Sequence, residues 1–533
     1  MLATLLTVGA LIIFTCIFLN KVSSRLGIPV LLLFILLGVF LGWHDQVSIE
    51  TTERAGDICT VALIFIMFYG GFGTSWKSAR PVVPEAGLLA TLGVALTAGM
   101  VGVFCHFALG WNWIEGMIMG SVISSTDAAT VFSILRTRKM GLKNNTAPIL
   151  ELESGSNDPC SYMLTAVMIA ILAGNVSGAQ VVWMTFAQLA FGALGGFLIA
   201  KGAMFILRRY TLPKGFDMMF IVAVALFGYS FPSLAGGNGY LSVYIIGIML
   251  GNQEFKGRKG LVQFFDGVTT FVQILIFFIL GYISHPSNLP RVLLPAVIIF
   301  LFISFVARPA AVSTILAPFR KYPAKQIGLV SFVGLRGAAS IVFAIMTLTS
   351  GLPMENDIFD IVFCIVLISI ALQGSLVPAA AKAFRMNDDN ADVMRTFSDF
   401  NEHCDLSFGK LSIPPGGSWD NTLVKELTLP EDVKLLMVIR NGQKIITKGN
   451  TRLLAGDQVV FCSKSYEDAT VADIREHQLK KNSALAGKKI KDYPHDDGTY
   501  VVMIRRGEEQ IIPDGNTVIQ EGDTLYLLNS SQM

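Results

Sequence analysis

The sequence predicts a multi-pass α-helical membrane protein of about 13 transmembrane helices with a cytoplasmic α/β tail. Three observations predict it: apolar stretches of spanning length recur through residues 1–385, basic residues fall in every second connection, and the periodicity changes after residue 384. Of 533 residues, 53% are hydrophobic and 15% charged, and mean hydropathy is +0.58. A soluble chain would carry about 25% charged residues. A net charge of +2 gives no reason to expect a nucleic-acid partner.

A bilayer is crossed by about 20 apolar residues in a helix. Thirteen stretches qualify: 2–19, 28–43, 58–73, 85–109, 114–135, 148–173, 181–207, 216–235, 240–251, 261–283, 291–317, 325–349 and 358–384. The second, third and ninth are short. The first has no basic residues before it and no small-residue cleavage site after it, which predicts a retained helix rather than a signal peptide.

Loop charge tests this count independently. Lys21 and Arg25, Lys77 and Arg80, Arg136 to Lys143, Arg208 to Lys214, Lys256 to Lys259, and Arg320 to Lys325 occupy alternate connections. The connections between them are nearly free of Lys and Arg. By the positive-inside rule the N-terminus lies outside and the chain after residue 384 lies in the cytoplasm. An odd count with interrupted helices predicts two inverted six-helix repeats joined by the seventh helix. The fifth and twelfth spans then correspond, and both are interrupted, by SSTDAAT at 124–130 and GLRGAAS at 334–340. Broken helices expose backbone groups at mid-membrane, so the ion site is expected where these two cross.

An ionisable residue at that depth costs about 2.5–3.5 kcal/mol on insertion scales and marks function. The sixth span carries Glu151, Glu153, Ser154, Asn157 and Asp158, the fifth carries Thr126 and Asp127, and the twelfth carries Arg336. Residues four apart share a helix face, so Ser154 stacks with Asp158 and Glu153 with Asn157. Asp158 can hold a proton or a cation in competition, which suffices for coupled exchange. With Asn157 beside it, one carboxylate trades one proton for one monovalent cation without net charge. Asp127 reads equally as a helix cap or a ligand. Glu151 lies nearer the cytoplasmic end and faces water, Arg308 and Asp266 read as interfacial or funnel-lining, and His106 as locally satisfied. The seven cysteines lack disulfide or metal spacing and read as buried or free thiols.

The ESGSND run, the Thr-Asp pair in a broken fifth helix and GLRG in a broken twelfth resemble the NhaP-type branch of the monovalent cation:proton antiporters. The resemblance covers about residues 1–385. It implies Asp158 as proton and cation carrier, Ser154, Thr126 and Asp127 as the cation site with it, and a structural Glu153–Arg336 ion pair. Ala128 departs from the pattern, since Pro often follows the Thr-Asp pair. The resemblance also implies a bacterial inner membrane.

After a connector at 386–402, two repeats follow, at 403–474 and 475–533. LLMVIRNGQK from Leu435 aligns with YVVMIRRGEE from Tyr500, setting Arg440 against Arg505 with one inserted residue further on. Strand, short helix, hairpin, GD turn and last strand resemble the TrkA C-terminal, RCK-type regulatory domains. That resemblance implies a homodimer regulated by a small effector such as a nucleotide, and tilts the cation toward K+ over Na+. No other cofactor is expected. The site oxygens themselves serve either ion. A ligand-gated cation channel is the other class considered, but no TVGYG-like filter is present. A symporter for an organic anion would show fewer acids in the crossover. No nucleophile, metal or phosphate motif points to an enzyme.

Overall fold

The computed structural model describes residues 2–529 except 27–28, 44–48, 138–139, 175, 211–212, 214, 254–257, 389–405, 431–432, 441–442, 465–472, 480–484, 493–498, 508 and 512. Most of the 386–402 connector, Cys404 and the loop cations Arg138, Lys139, Lys214 and Lys256 lie outside the described residues. Two compact units result, Met1–Asn401 and Glu402–Met533.

All thirteen predicted stretches are helical. They form α1 (Leu2–Leu26), α2 (Val30–Gly42), α3 (Ile49–Gly73), α4 (Trp76–Leu109), α5 (Trp113–Ile123), α6 (Ala128–Thr137), α7 (Thr146–Leu172) and α8 (Gly178–Arg209). The series continues with α9 (Phe216–Leu234), α10 (Gly239–Gly251), α11 (Arg258–Ile283), α12 (Pro286–Phe319), α13 (Ala324–Phe332), α14 (Ala338–Thr349) and α15 (Ile358–Ala383). The fifth and twelfth stretches are each split in two, into α5 and α6 and into α13 and α14. Among the described residues, eight helical segments are long and apolar enough to cross a membrane. The α7 helix has 27 residues but is not among them, because its polar run from Glu151 to Asp158 lowers its hydropathy.

Two helix crossings are unusually close. Gly38 and Gly42 of α2 face Gly281 of α11, and a methyl group at any of them would overlap the facing backbone at Phe278, Tyr282 or Ile35. Gly247 and Gly251 of α10 meet Gly71 of α3 in the same way, against the backbone of Phe68, Phe72 and Tyr244. Small residues let membrane helices approach through dispersion and packing where lipid supplies no hydrophobic drive. A short antiparallel ribbon of β1 (Gly141–Leu142) and β2 (Asn387–Asp388) ties the start of α7 to the end of α15.

The tail contains two four-stranded antiparallel sheets. The first comprises β3 (Leu406–Ser412), β4 (Val433–Arg440), β5 (Gln443–Ile446) and β6 (Gln458–Lys464) in the order β3-β6-β4-β5. The second comprises β7 (Asp473–Gln478), β8 (Thr499–Arg506), β9 (Glu509–Ile511) and β10 (Thr524–Asn529) in the equivalent order β7-β10-β8-β9. The helix expected in each repeat is a single 3-10 turn, Val424–Glu426 and Ile490–Asp492. Among the described residues these units are therefore antiparallel β rather than α/β.

The repeat register also needs correction. Arg440 clamps Asp457 through two nitrogens at 2.8 and 2.7 Å and donates to the Arg452 carbonyl. Arg506 clamps Asp523 and donates to the Val518 carbonyl in the same way. Arg440 is thus equivalent to Arg506, not Arg505, and no insertion is needed. The predicted register was shifted by one because two arginines are adjacent in the second repeat, and Ile439-Arg440 matches Ile504-Arg505 by residue type; the strand bulges, at Leu435/Met437 and opposite Tyr526/Leu527, fall at equivalent places in the corrected register. In both repeats the arginine locks the turn before the last strand.

Candidate ion-binding site

The site forms where the breaks of α5/α6 and α13/α14 meet α7. Residues 124–127 leave helical geometry between α5 and α6, and Ser124, Ser125 and Thr126 are buried there. Broken backbone inside a membrane protein has to find partners within the protein. It finds them in the polar stripes of α7. The Ser154 hydroxyl donates to the Thr126 carbonyl at 2.7 Å and accepts from the Ala128 N–H at 2.9 Å. Asn157 donates its amide to the Thr126 hydroxyl at 2.6 Å. Ser125 donates its hydroxyl to Asp158 Oδ1, whereas Oδ2 makes no hydrogen bond among the described residues.

The two breaks also brace each other. The Asp127 N–H donates to the Leu335 carbonyl at 2.8 Å, and its carboxylate caps the start of α6 by accepting from the Thr130 N–H and hydroxyl at 3.1 and 2.6 Å. Asp127 lies against Gly337, where a Cβ would collide with the carboxylate. Arg336 donates to the carbonyls of Ile123 and Ser125 at the C-terminal end of α5. An anion near a helix start and a cation near a helix end both oppose the peptide dipoles. The crossing is therefore electrostatically balanced by Asp127 and Arg336.

The ion pair expected between Glu153 and Arg336 is not formed. Glu153 instead accepts both guanidinium nitrogens of Arg308, at 2.5 and 2.9 Å. Glu153 is 1% and Arg308 4% exposed, so two charges that would each be costly alone neutralise one another. Arg308, expected at an interface or funnel, lies in the core, in α12. Its signal in the sequence was an arginine in the second half of an apolar span whose one other charge, Arg291, stands at its start. Arg336 is committed instead to the carbonyls freed by the break. Ser125 was also missed as a partner of Asp158; only its place in the interrupted segment pointed to it.

A cavity of about 260 Å³ opens beside these residues, lined among others by Thr126, Asp127, Glu151, Ser154, Asp158 and Asp266. All of its α7 lining comes from the first half of that helix. Beyond Asp158, on the other side, Tyr162 packs against Tyr240 and Phe343 at ring distances of 5.0 and 5.9 Å, and Tyr229 against Tyr240 at 4.9 Å. None of these four rings lines the cavity. His106 bonds the Trp111 carbonyl five residues away at 2.8 Å.

A many-helix bundle with broken crossing helices, and a buried carboxylate at the end of a one-sided cavity lined by acidic and hydroxyl side chains, defines a carrier of small cations. The chain belongs to the sodium/hydrogen exchanger family: residues 10–383 match the description "Sodium/hydrogen exchanger, transmembrane". Residues 410–470 and 474–533 each match the TrkA-C domain. The chain is 31% identical over 496 residues to the K(+)/H(+) antiporter NhaP of Alkalimonas amylolytica, covering 92% of this chain and 86% of the relative. It is 32% identical to the K(+)/H(+) antiporter NhaP2 of Shewanella oneidensis over 534 residues, covering 98% and 81%. Among solved structures, the sodium proton antiporter MjNhaP1 of Methanocaldococcus jannaschii at pH 8 superposes with a TM-score of 0.63 at 22% identity, covering 70% of this chain and 99% of that one. The membrane unit is thus a cation/proton antiporter followed by a TrkA-C tail.

Proposed function

We propose that the chain exchanges K+ for H+ one for one at Asp158, electroneutrally and by alternating access, and that its tail regulates the exchange. The observation that carries this reading is Asp158 itself. It is 6% exposed, bonded through one oxygen to Ser125, and sits at the wall of a cavity that also reaches Thr126 and Ser154. A proton and a dehydrated cation compete for its other oxygen. Asn157 is fully buried and spends its amide on Thr126, so no second carboxylate stands there to carry a second proton. Thr126, Asp127, Ser154 and Asp158 make the proposed cation site. Asp127, with both oxygens accepting from Thr130, shapes the break as much as it offers charge.

The cavity side supports an orientation. Its lining comes from the end of α3, the start of α7 and the start of α11, the ends next to the basic connections. By the positive-inside rule that side is cytoplasmic, the N-terminus is outside, and the structure is open inward with the Tyr162–Tyr240–Phe343 cluster closing the outer path. Two inverted repeats within 13 spans account for the paired glycine crossings. Exchanging the second and third spans for the ninth and tenth carries Gly38 and Gly42 onto Gly247 and Gly251, and Gly71 onto Gly281.

K+ is favoured over Na+ because the relatives that match both the membrane unit and the tail are named K(+)/H(+) antiporters. The tail is proposed to bind a small effector such as a nucleotide and to support a homodimer in a bacterial inner membrane. Proteoliposome exchange with K+, Na+, Rb+ and Li+ tests the reading. K+-driven proton movement insensitive to membrane potential is expected; a response to Na+ alone would reverse the ion assignment, and no response to any cation would overturn antiport.

A further inference from the structure

We propose that Glu151 is a proton relay between Asp158 and the cytoplasm, a role that rests on the antiport reading above. Glu151 lies seven residues before Asp158 on α7, two turns away and about 10 Å along the axis, on the same face within about 20°. Both side chains line the same cavity. Between them on that face stand Gly155, which has no side chain, and Ser154, a small residue whose hydroxyl is turned to the Thr126 carbonyl and the Ala128 N–H.

Tyr244 of α10 packs on Gly155 from outside the cavity lining, its ring in the space a Cβ would take. The Tyr244 hydroxyl is buried, lies near the Ser156 and Thr74 hydroxyls without bonding them, and is within electrostatic reach of both Glu151 and Asp158. Glu151 itself forms no hydrogen bond or ion pair among the described residues, and it is only partly buried. Such a carboxylate is expensive to keep in an apolar bundle without a partner or a task.

The surrounding charges favour proton traffic. The cavity receives Asp266 and Tyr69 from α11 and α3 and Asp127 from the break before α6, and no Lys, Arg or His lines it among the described residues. The other described charged groups on helices packed against α7 stand outside the lining: Lys77, Arg80 and Glu85 of α4, Glu115 of α5, Lys201, Arg208 and Arg209 of α8, Arg308 of α12 and Lys325 of α13, with those of α3 at its far end. A low-dielectric cleft lined by one sign of charge concentrates counter-ions.

In the step that loads a cation from this side, the Asp158 carboxyl gives its proton to cavity water. That water passes a proton to the Glu151 carboxylate, leaving Asp158 ionised for the cation and Glu151 neutral. Glu151 then releases the proton to a cytoplasmic water or buffer base. Charge and protons balance without a further reactant.

The test compares Glu151→Gln and Glu151→Asp with the parent in proteoliposomes, reading 86Rb+ exchange from pH 6 to 9, with cation-induced thermal stabilisation measured alongside. Because water offers a slower path, Glu151→Gln is expected to lower maximal exchange about tenfold, less than the 10²–10⁴-fold typical of a group acting directly in proton transfer. It should change the pH profile, keep cation stabilisation, and regain rate when cytoplasmic-side buffer is raised. Glu151→Asp should recover most of the rate. Unchanged rate and pH profile in Glu151→Gln would overturn the relay. Equal losses in both variants, with the parental profile and no response to buffer, would make Glu151 structural and overturn it too. A parent without exchange in the same vesicles would instead sink the antiport reading, and the relay with it.

Discussion

Replacing Arg308 by Met removes one half of a pair in which both charges are almost completely buried. The two contacts, at 2.5 and 2.9 Å, make it bidentate. At an effective dielectric of about 20, charge centres about 4 Å apart attract by about 4 kcal/mol. Breaking such a pair by deleting one partner typically costs about 3–5 kcal/mol, whereas replacing both charges together is often close to neutral. The variant Arg308→Met is therefore expected to be destabilised by about 3–5 kcal/mol, and Arg308→Met/Glu153→Gln to recover most of that loss. Arg336→Met loses bonds to the Ile123 and Ser125 carbonyls, and adding Glu153→Gln should recover little of its loss. Double-mutant cycles in detergent-solubilised protein, read by chemical or thermal unfolding, give both couplings. A Glu153–Arg336 coupling equal to or larger than the Glu153–Arg308 coupling would refute the pairing.

Asn157→Asp places a second carboxylate beside Asp158, and exchange in that variant should become sensitive to membrane potential; potential-independent exchange would count against the one-carboxylate stoichiometry. Gly251→Leu drives a side chain into the Phe72 backbone at the α3–α10 crossing and should destabilise the membrane unit by more than 2 kcal/mol, about the range of core overpacking or beyond, checked by thermal melting. In the tail, the Arg440 guanidinium holds the Asp457 carboxyl below its ordinary value. A depressed folded value stabilises the fold above the unfolded carboxylate value of about 3.9 and loses that contribution as pH falls through the folded value. Protection factors of tail amides in the full chain, corrected for the intrinsic exchange rate, should therefore fall below about pH 4, and Arg440→Met should remove part of that pH dependence.

The helices were legible because span length, loop charge and helix breakers are local signals. SSTDAAT and GLRGAAS announced the interrupted helices, and the ESGSND run announced the polar face of α7. What escaped is long-range. Nothing local distinguishes Arg308 from Arg336 as the partner of Glu153, since both are arginines in apolar surroundings and the choice is made by how α12 and the break between α13 and α14 pack on α7. Ser125 was hidden among small polar residues whose directions depend on the irregular backbone of the break. In the tail, the adjacent Arg505 and Arg506 offer two sequence matches for Arg440, and only the Arg440–Asp457 and Arg506–Asp523 clamps choose between them.

The most direct test of the central claim is exchange by Asp158→Asn in proteoliposomes. Asparagine nearly preserves the shape, so the bundle should melt at or above the parental temperature, while K+-driven proton exchange should vanish across pH 6 to 9. A folded Asp158→Asn variant that still exchanges K+ for protons at the parental rate would place the carrier elsewhere and contradict the account.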